Sequence, residues 1–314
     1  MIGKVIFWLF IIALISSIGY FGYQYIPGKA EGFKIVDLTE KTETNISYGN
    51  TPMFMTNMRF SEKEFSYYVS PDCSLNRQER MKRAFSIIQN ETKLSFYEID
   101  NNKDANILVG CSQEEIEESK NTFRAGEGGP TAIFDTGLYN LSLKGQIKLY
   151  RETSTDCGYP VVELHELLHV FGFDHSPDQR NIMYNTSDCE QRISQDIIDT
   201  LNALYSSDSL PDIYISNISA IKRGRYLDFN ISMRNRGLVD VKENVTLIVE
   251  TNGEQIQTYI IGAVYINTTR ILRAENVRLP SRGTNKIDFL IDSENKVREL
   301  FENNNRVNLI VPDS

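Results

Sequence analysis

All three histidines of this 314-residue chain fall within residues 165–175, which read HELLHVFGFDH. His165 and His169 are four apart, so on a helix both imidazoles project from the same face. Glu166 lies beside them, placed to reach a water held at that face. Gly172 can take the left-handed backbone that ends a helix, and three residues later His175 can bring round a third nitrogen. Three neutral imidazoles with an open fourth position describe a catalytic zinc site, whereas a structural site is closed by four ligands. A site of that kind polarises a carbonyl and acidifies water, and the neighbouring carboxylate is the base that amide hydrolysis requires. Chance explains the string poorly. H-E-x-x-H alone is expected in fewer than ~1% of chains this long, and the added Gly and His lower that by roughly a thousandfold.

H-E-x-x-H-x-x-G-x-x-H followed by a methionine turn is the metzincin signature, and this chain resembles that superfamily. After His175 comes SPDQRNIMY, which places Met183 eight residues on. The pairs His175-Ser176 and Met183-Tyr184 look like the matrixin branch. Residues 193–205 (ISQDIIDTLNALY) are similar to the last helix of a matrixin catalytic domain. The resemblance covers residues 52–206. It implies an α+β domain with a twisted mixed sheet and an active-site helix, one catalytic Zn2+, and endopeptidase activity on proteins or peptides. It further implies that Met183 forms a hydrophobic floor under the ligands and that Tyr184 lines the pocket beside the metal. Structural Ca2+ is compatible with it, but no residues can be assigned to that ion.

The departures are informative. Asn185 stands where matrixins usually have proline. Their second, structural zinc uses further histidines, which this chain lacks. The stalk before residue 52 holds no cysteine of the P-R-C-G latency type, and Cys157-Gly158-Tyr159-Pro160, though similar, directly precedes the active-site helix. Cys157 is read as a disulfide partner instead. Glu190 lies 21 residues after His169, near the third-ligand position of thermolysin-like enzymes. His175, Gly172 and Met183 favour the metzincin arrangement over it.

Positioning these groups falls to elements legible from periodicity. Residues 161–171 form the helix of His165, Glu166 and His169. Residues 77–89 form another, with Met81, Ala84, Phe85 and Ile88 on one stripe, and 193–205 a third. Residues 94–99, 106–110 and 146–150 read as strands, and 124–130 (RAGEGGP) as a glycine-rich loop without the pattern of a phosphate cradle. An extended substrate is expected to add to an exposed strand edge, for which residues 131–135 (TAIFD) are the candidate. Four cysteines allow three connectivities. Cys157 precedes the active-site helix and Cys189 follows Met183 by six residues, so gathering the histidines draws the two together. Cys157–Cys189 is therefore expected, with Cys73–Cys111 as the second pair.

Beyond residue 210 the pattern turns to period two, as in Leu227, Phe229, Ile231, Met233 and again in Val245, Leu247, Val249 and Val307, Leu309, Val311. Such alternation over about 100 residues predicts an all-β immunoglobulin-like sandwich at 207–314. From Pro211-Asp212-Ile213 through 233–237 (MRNRG) to 302–305 (ENNN), this part resembles a CARDB-type adhesion module. The resemblance implies a binding or spacing role toward a surface protein or glycan.

The net charge of −9 arises wholly in residues 1–205, with 19 Lys+Arg against 28 Asp+Glu; the remainder carries 14 of each. No basic face for nucleic acid is expected. Between Lys4 and Lys29, 24 residues carry no charge. Residues 5–23 alone span about 28 Å as a helix, enough to cross the hydrocarbon core. Lys4 and the free amino terminus favour a cytoplasmic amino end, and Trp8, Tyr20 and Tyr23 flank the span. Residues 1–26 are thus expected as a transmembrane helix, a single-pass anchor in the cell membrane with the catalytic domain outside. The alternative is a cleaved signal peptide and secretion, against which stand the long apolar run and the poor cleavage site at Ser17-Ile18-Gly19. Residues 27–51 are polar and turn-rich, as in a linker or stalk. An even cysteine count agrees with an exterior location, as do eight N-x-[ST] sequons at Asn45, Asn90, Asn140, Asn185, Asn217, Asn230, Asn244 and Asn267. The rival reading is a surface adhesion protein with an inactive peptidase-like domain; the intact Glu166 weighs against it.

Overall fold

The structure is a computed structural model that describes residues 2–37, 46, 48–120, 122–150 and 157–311. The chain opens with α1 (Ile2–Tyr25), of which residues 4–25 are long and apolar enough to cross a bilayer and are nowhere buried. Residues 26–29 then lead into β1 (Ala30–Gly32) and β2 (Lys34–Asp37).

The first unit comprises residues 43–210 and 237–239. In chain order it holds β3 (Met58–Phe60), β4 (Glu64–Val69), α2 (Leu75–Glu91), β5 (Ser95–Glu98) and β6 (Ile107–Cys111). A small hairpin follows, β7 (Glu117–Ser119) with β8 (Thr122–Phe123), then β9 (Gly126–Asp135), β10 (Asn140–Leu149), α3 (Val161–Val170) and α4 (Gln195–Leu204). The sheet runs β3-β10-β6-β4-β5 with parallel pairings, and β9 is added antiparallel along β10. This is a mixed sheet in an α+β domain. Residues 124–130, expected as a loop, partly enter β9.

Local chemistry sets the helices. Ser74 accepts the Arg77 backbone N–H at 3.3 Å and starts α2, which buries Met81, Ala84, Phe85 and Ile88 on its apolar stripe. Phe85 stacks on Tyr67 of β4 with ring centroids 4.0 Å apart. Apolar residues surround most of α3, and Val161, Leu164, Leu167, Leu168 and Val170 are all buried. Ile197, Leu201 and Leu204 seat α4 in the same core. Two disulfides tie the loops: Cys73 to Cys111 and Cys157 to Cys189, with Cα separations of 5.0 and 5.2 Å. These are the pairs expected from position.

The second unit takes residues 1–42, 211–236 and 240–314. It adds β11 (Ile213–Arg223), β12 (Tyr226–Asn235), β13 (Val241–Thr251), β14 (Glu254–Val264), β15 (Thr269–Arg278), β16 (Lys286–Ile291) and β17 (Arg306–Ile310). Two antiparallel sheets result, β1-β11-β12-β15 and β14-β13-β16-β17-β2. Alternate residues such as Phe229, Ile231, Leu247 and Phe289 fill the space between them, and Phe229 meets Phe289 edge-on at 4.9 Å.

One expectation is corrected here. Residues 30–37 are not a free linker: β1 pairs with β11 and β2 with β17. Phe33 and Ile35 pack on the sandwich core, and Lys222 holds Glu31 at 2.7 Å. Short edge strands need little apolar content, which is why composition alone reads them as a stalk. Residues 38–45 and 47 of that segment, with the sequon at Asn45, lie outside the described residues. Of the other sequons, Asn140 is half-buried and the remaining asparagines are exposed.

Replacing both Cys157 and Cys189 by alanine should lower the unfolding free energy of the first unit by roughly 2–4 kcal/mol. Chemical denaturation checks this, and an unchanged midpoint would mean the bond does not constrain the chain.

Candidate metal centre

Helix α3 presents His165, Glu166 and His169 together, and the chain doubles back to add His175. Gly172 makes that reversal possible. Its φ is +92°, and a Cβ there would lie 2.8 Å from Met58 Sδ. The turn is held by Gly172 N–H donating to His169 O at 3.0 Å, while Phe54 N–H donates to Gly172 O at 3.1 Å. His175 is then fixed between Asp174, whose N–H reaches Pro52 O, and Ser176, whose N–H reaches Met183 O, both at 2.8 Å.

The ring nitrogens are sorted by their neighbours. His165 Nδ1 faces Ile182 O at 2.8 Å and His169 Nδ1 faces Phe173 O at 2.7 Å. A carbonyl oxygen requires a proton on the facing nitrogen, which leaves Nε2 of each ring as the unprotonated atom. Those two Nε2 atoms stand 3.0 Å apart. Two nitrogens bound to one tetrahedral zinc would be separated by about 3.3 Å. With His175, all three rings offer a ligand atom within 4.8 Å of one another, the one such group of His, Cys, Asp and Glu among the described residues. The donor set therefore fits a single zinc ion. Among the described residues nothing comparable marks a calcium site.

Electrostatics agree with neutral imidazoles. Burial, then the neighbouring His169, pushes His165 down to about 4, and burial also lowers His169. Glu166 moves the other way. Burial, then the nearby Glu127 carboxylate, pushes it up to about 8, while the Gly128 N–H bond works against that rise.

The other residues singled out by sequence fall as follows. Met183 is wholly buried, and its turn supplies the Ile182 carbonyl that orients His165. Tyr184 is half-buried, and from this turn Asn185, Thr186 and Ser187 are the residues that line the cleft. Glu190 is exposed and takes no part in the histidine group. The cleft, about 960 Å³, is bounded by Phe54, Phe123 and residues 124–128. Residues 131–135 lie farther along β9, so the edge beside the histidines is 124–128. Burial patterns explain the difference: glycine-rich strands show no hydrophobic alternation to mark them.

Two features went unread in the sequence. Gly126 and Gly128 let β9 lie against α3: a Cβ on Gly126 would meet Glu166 Cγ at 2.6 Å, and one on Gly128 would meet Glu166 O at 2.1 Å. The other is Glu163, fully buried two residues before His165. Its Oε1 accepts Arg77 Nη1 at 2.6 Å and Arg80 Nε at 3.2 Å. Arg80 also donates to Cys157 O at 2.6 Å and Tyr159 O at 3.3 Å, clamping the segment that enters α3. A carboxylate inside an otherwise apolar helical turn was the available signal.

Residues 59–206 match the matrixin peptidase family, and residues 210–309 match the CARDB family. The chain thus carries a matrixin domain followed by a CARDB domain. Among solved structures, the CARDB domain of a Pyrococcus furiosus protein is similar in two determinations. One is a crystal structure in complex with di-metal ions, 17% identical, covering 32% of this chain and 88% of that chain with a TM-score of 0.25. The other is a solution NMR structure, 18% identical, covering 32% of this chain and 94% of that chain, also at 0.25. A search of curated proteins returns no match.

Gly128→Ala should force β9 and α3 apart, because the added methyl meets backbone rather than a movable side chain. The expected cost is about 1–3 kcal/mol in stability, together with weakened zinc binding. Thermal unfolding and zinc titration measure both, and wild-type values for each would show that the close approach is not required.

Proposed function

We propose that this chain is an extracytoplasmic, membrane-anchored zinc endopeptidase whose sandwich is a binding module toward a surface protein or glycan. The observation that carries the reading is the convergence of three imidazoles and Glu166 in one cleft beside a strand edge, within a matrixin domain. Location outside the cytoplasm is supported by the apolar α1 and the two disulfides.

His165, His169 and His175 would hold the zinc ion, which supplies Lewis acidity toward a scissile carbonyl and toward water. The carbonyls of Ile182 and Phe173 keep the two helix imidazoles in the tautomer that ligation needs. Glu166 takes the proton of the attacking water and returns it to the leaving amine. Among the described residues β9 pairs on one side only, with β10. Residues 124–128 can therefore accept an extended peptide as a further strand, with main-chain hydrogen bonds aligning it over the histidines. Phe54 and Phe123 offer apolar contact to its side chains.

Purified protein should contain one zinc ion and cleave casein, lose activity to a chelator and regain it with added zinc. Glu166→Gln should retain zinc while losing at least about 100-fold in rate. Zinc-loaded wild-type protein that leaves casein and a peptide library uncut would favour the inactive adhesion protein.

A further inference from the structure

The balanced charge of the sandwich hides a polarity along its length. Strand registers put Arg223 opposite Tyr226, Tyr226 opposite Arg278, and Lys286 opposite Ile310, all at one end. Residues 222–228 and 278–286 bring to that end Lys222, Arg223, Arg225, Arg278, Arg282 and Lys286, against Asp228, which pairs with Arg223, and Glu31 of β1, which pairs with Lys222. Residues 292–302, joining β16 to β17 at the other end, carry Asp292, Glu294, Glu299 and Glu302 against Lys296 and Arg298.

The apolar helix leaves from the cationic end. Ala30 of β1 pairs with Arg223, and only residues 26–29 separate β1 from α1. Four residues reach at most about 14 Å when extended. The helix end is also gripped directly. Arg278 Nη2 donates to Tyr25 Oη at 2.7 Å, and the Arg278 and Arg225 guanidiniums stand 4.8 and 5.8 Å from the Tyr25 ring. Arg282 lies 3.9 Å over the Tyr23 ring and donates to Tyr23 O. Tyrosines at the end of an apolar span belong at headgroup depth, so the arginines that hold them stand there too.

We propose that Arg223, Arg225, Arg278 and Arg282 form a collar that binds the phosphate-bearing headgroups of anionic lipids and seats the sandwich on the bilayer. This rests on reading α1 as a membrane anchor. Guanidinium presents several donors in a fork that matches phosphate oxygens, and each basic group near an anionic surface adds to the attraction. These arginines are far downstream of α1 in sequence, outside the short flanks whose charge sets helix orientation. Fixed arginines at this end give the sandwich one way to face the membrane.

The test uses the full chain in nanodiscs of phosphatidylcholine, with or without about 30% phosphatidylglycerol, following hydrogen exchange at residues 222–228 and 278–284. Exchange there should be at least roughly fivefold slower with phosphatidylglycerol. The protection should vanish at high salt and in the Arg223→Gln/Arg278→Gln variant, while β13 and β16 keep wild-type exchange as the control for folding. Equal exchange in both lipids overturns the collar. So does equal protection when inorganic phosphate is added to phosphatidylcholine discs, since the site would then take a free anion. Alkaline carbonate extraction of native membranes reads the anchor separately: release of the chain overturns the anchor, whereas retention with no lipid effect overturns only the collar.

Discussion

Burying α3 takes three adjacent polar side chains, Glu163, His165 and Glu166, out of water, and each then needs a partner within the fold. Each partner comes from a different part of the first unit. Arginines of α2 reach Glu163, the Ile182 carbonyl from the methionine turn reaches His165, and the Gly128 N–H from β9 reaches Glu166. Pairing these groups therefore fixes the placement of a second helix, a loop and a strand, although Glu163 Oε2 stays buried without a partner.

The same constraint explains where the covalent ties lie. Arg80 joins the Glu163 cluster to the carbonyls of Cys157 and Tyr159, and Cys157 is bonded to Cys189 beyond the methionine turn. The loop that orients His165 is thus bracketed by a disulfide on one side and by the Ser176–Met183 hydrogen bond on the other. Residue 51, expected as the end of a linker, belongs to the first unit and helps as well. Thr51 is buried, its N–H donating to Asp196 of α4 at 2.6 Å and its hydroxyl accepting from Asn181 at 2.8 Å.

Local pattern made the histidine group legible, since its spacing of four and six residues encodes a helix face and its reversal. Apolar stripes gave α2, α3 and α4 to within a few residues, and period-two alternation gave β12, β13 and β17. What escaped was tertiary in origin. β9 is glycine-rich because α3 lies against it, and glycine carries no alternation by which a strand can be recognised. β15 exposes most of its residues and β14 fully buries only Val264, so neither has a clean apolar face. The Glu163–Arg77 pair joins residues 86 apart in sequence, so the chain near Glu163 signals a buried carboxylate but not its partner.

The two short strands near the amino terminus change how the sandwich must form. β1 joins one sheet and β2 the other, so neither sheet is complete until the chain has passed through the whole first unit and returned. The entropy of closing so long a loop grows only with the logarithm of its length. If the first unit folds before the sandwich, it shortens the effective loop further. Edge strands contributed from so far away add few contacts of their own, which is consistent with their short pairings of three residues each. Their larger consequence is mechanical. A pull on α1 is carried into both sheets through main-chain hydrogen bonds, so the element next to the helix is a packed domain and not a flexible tether.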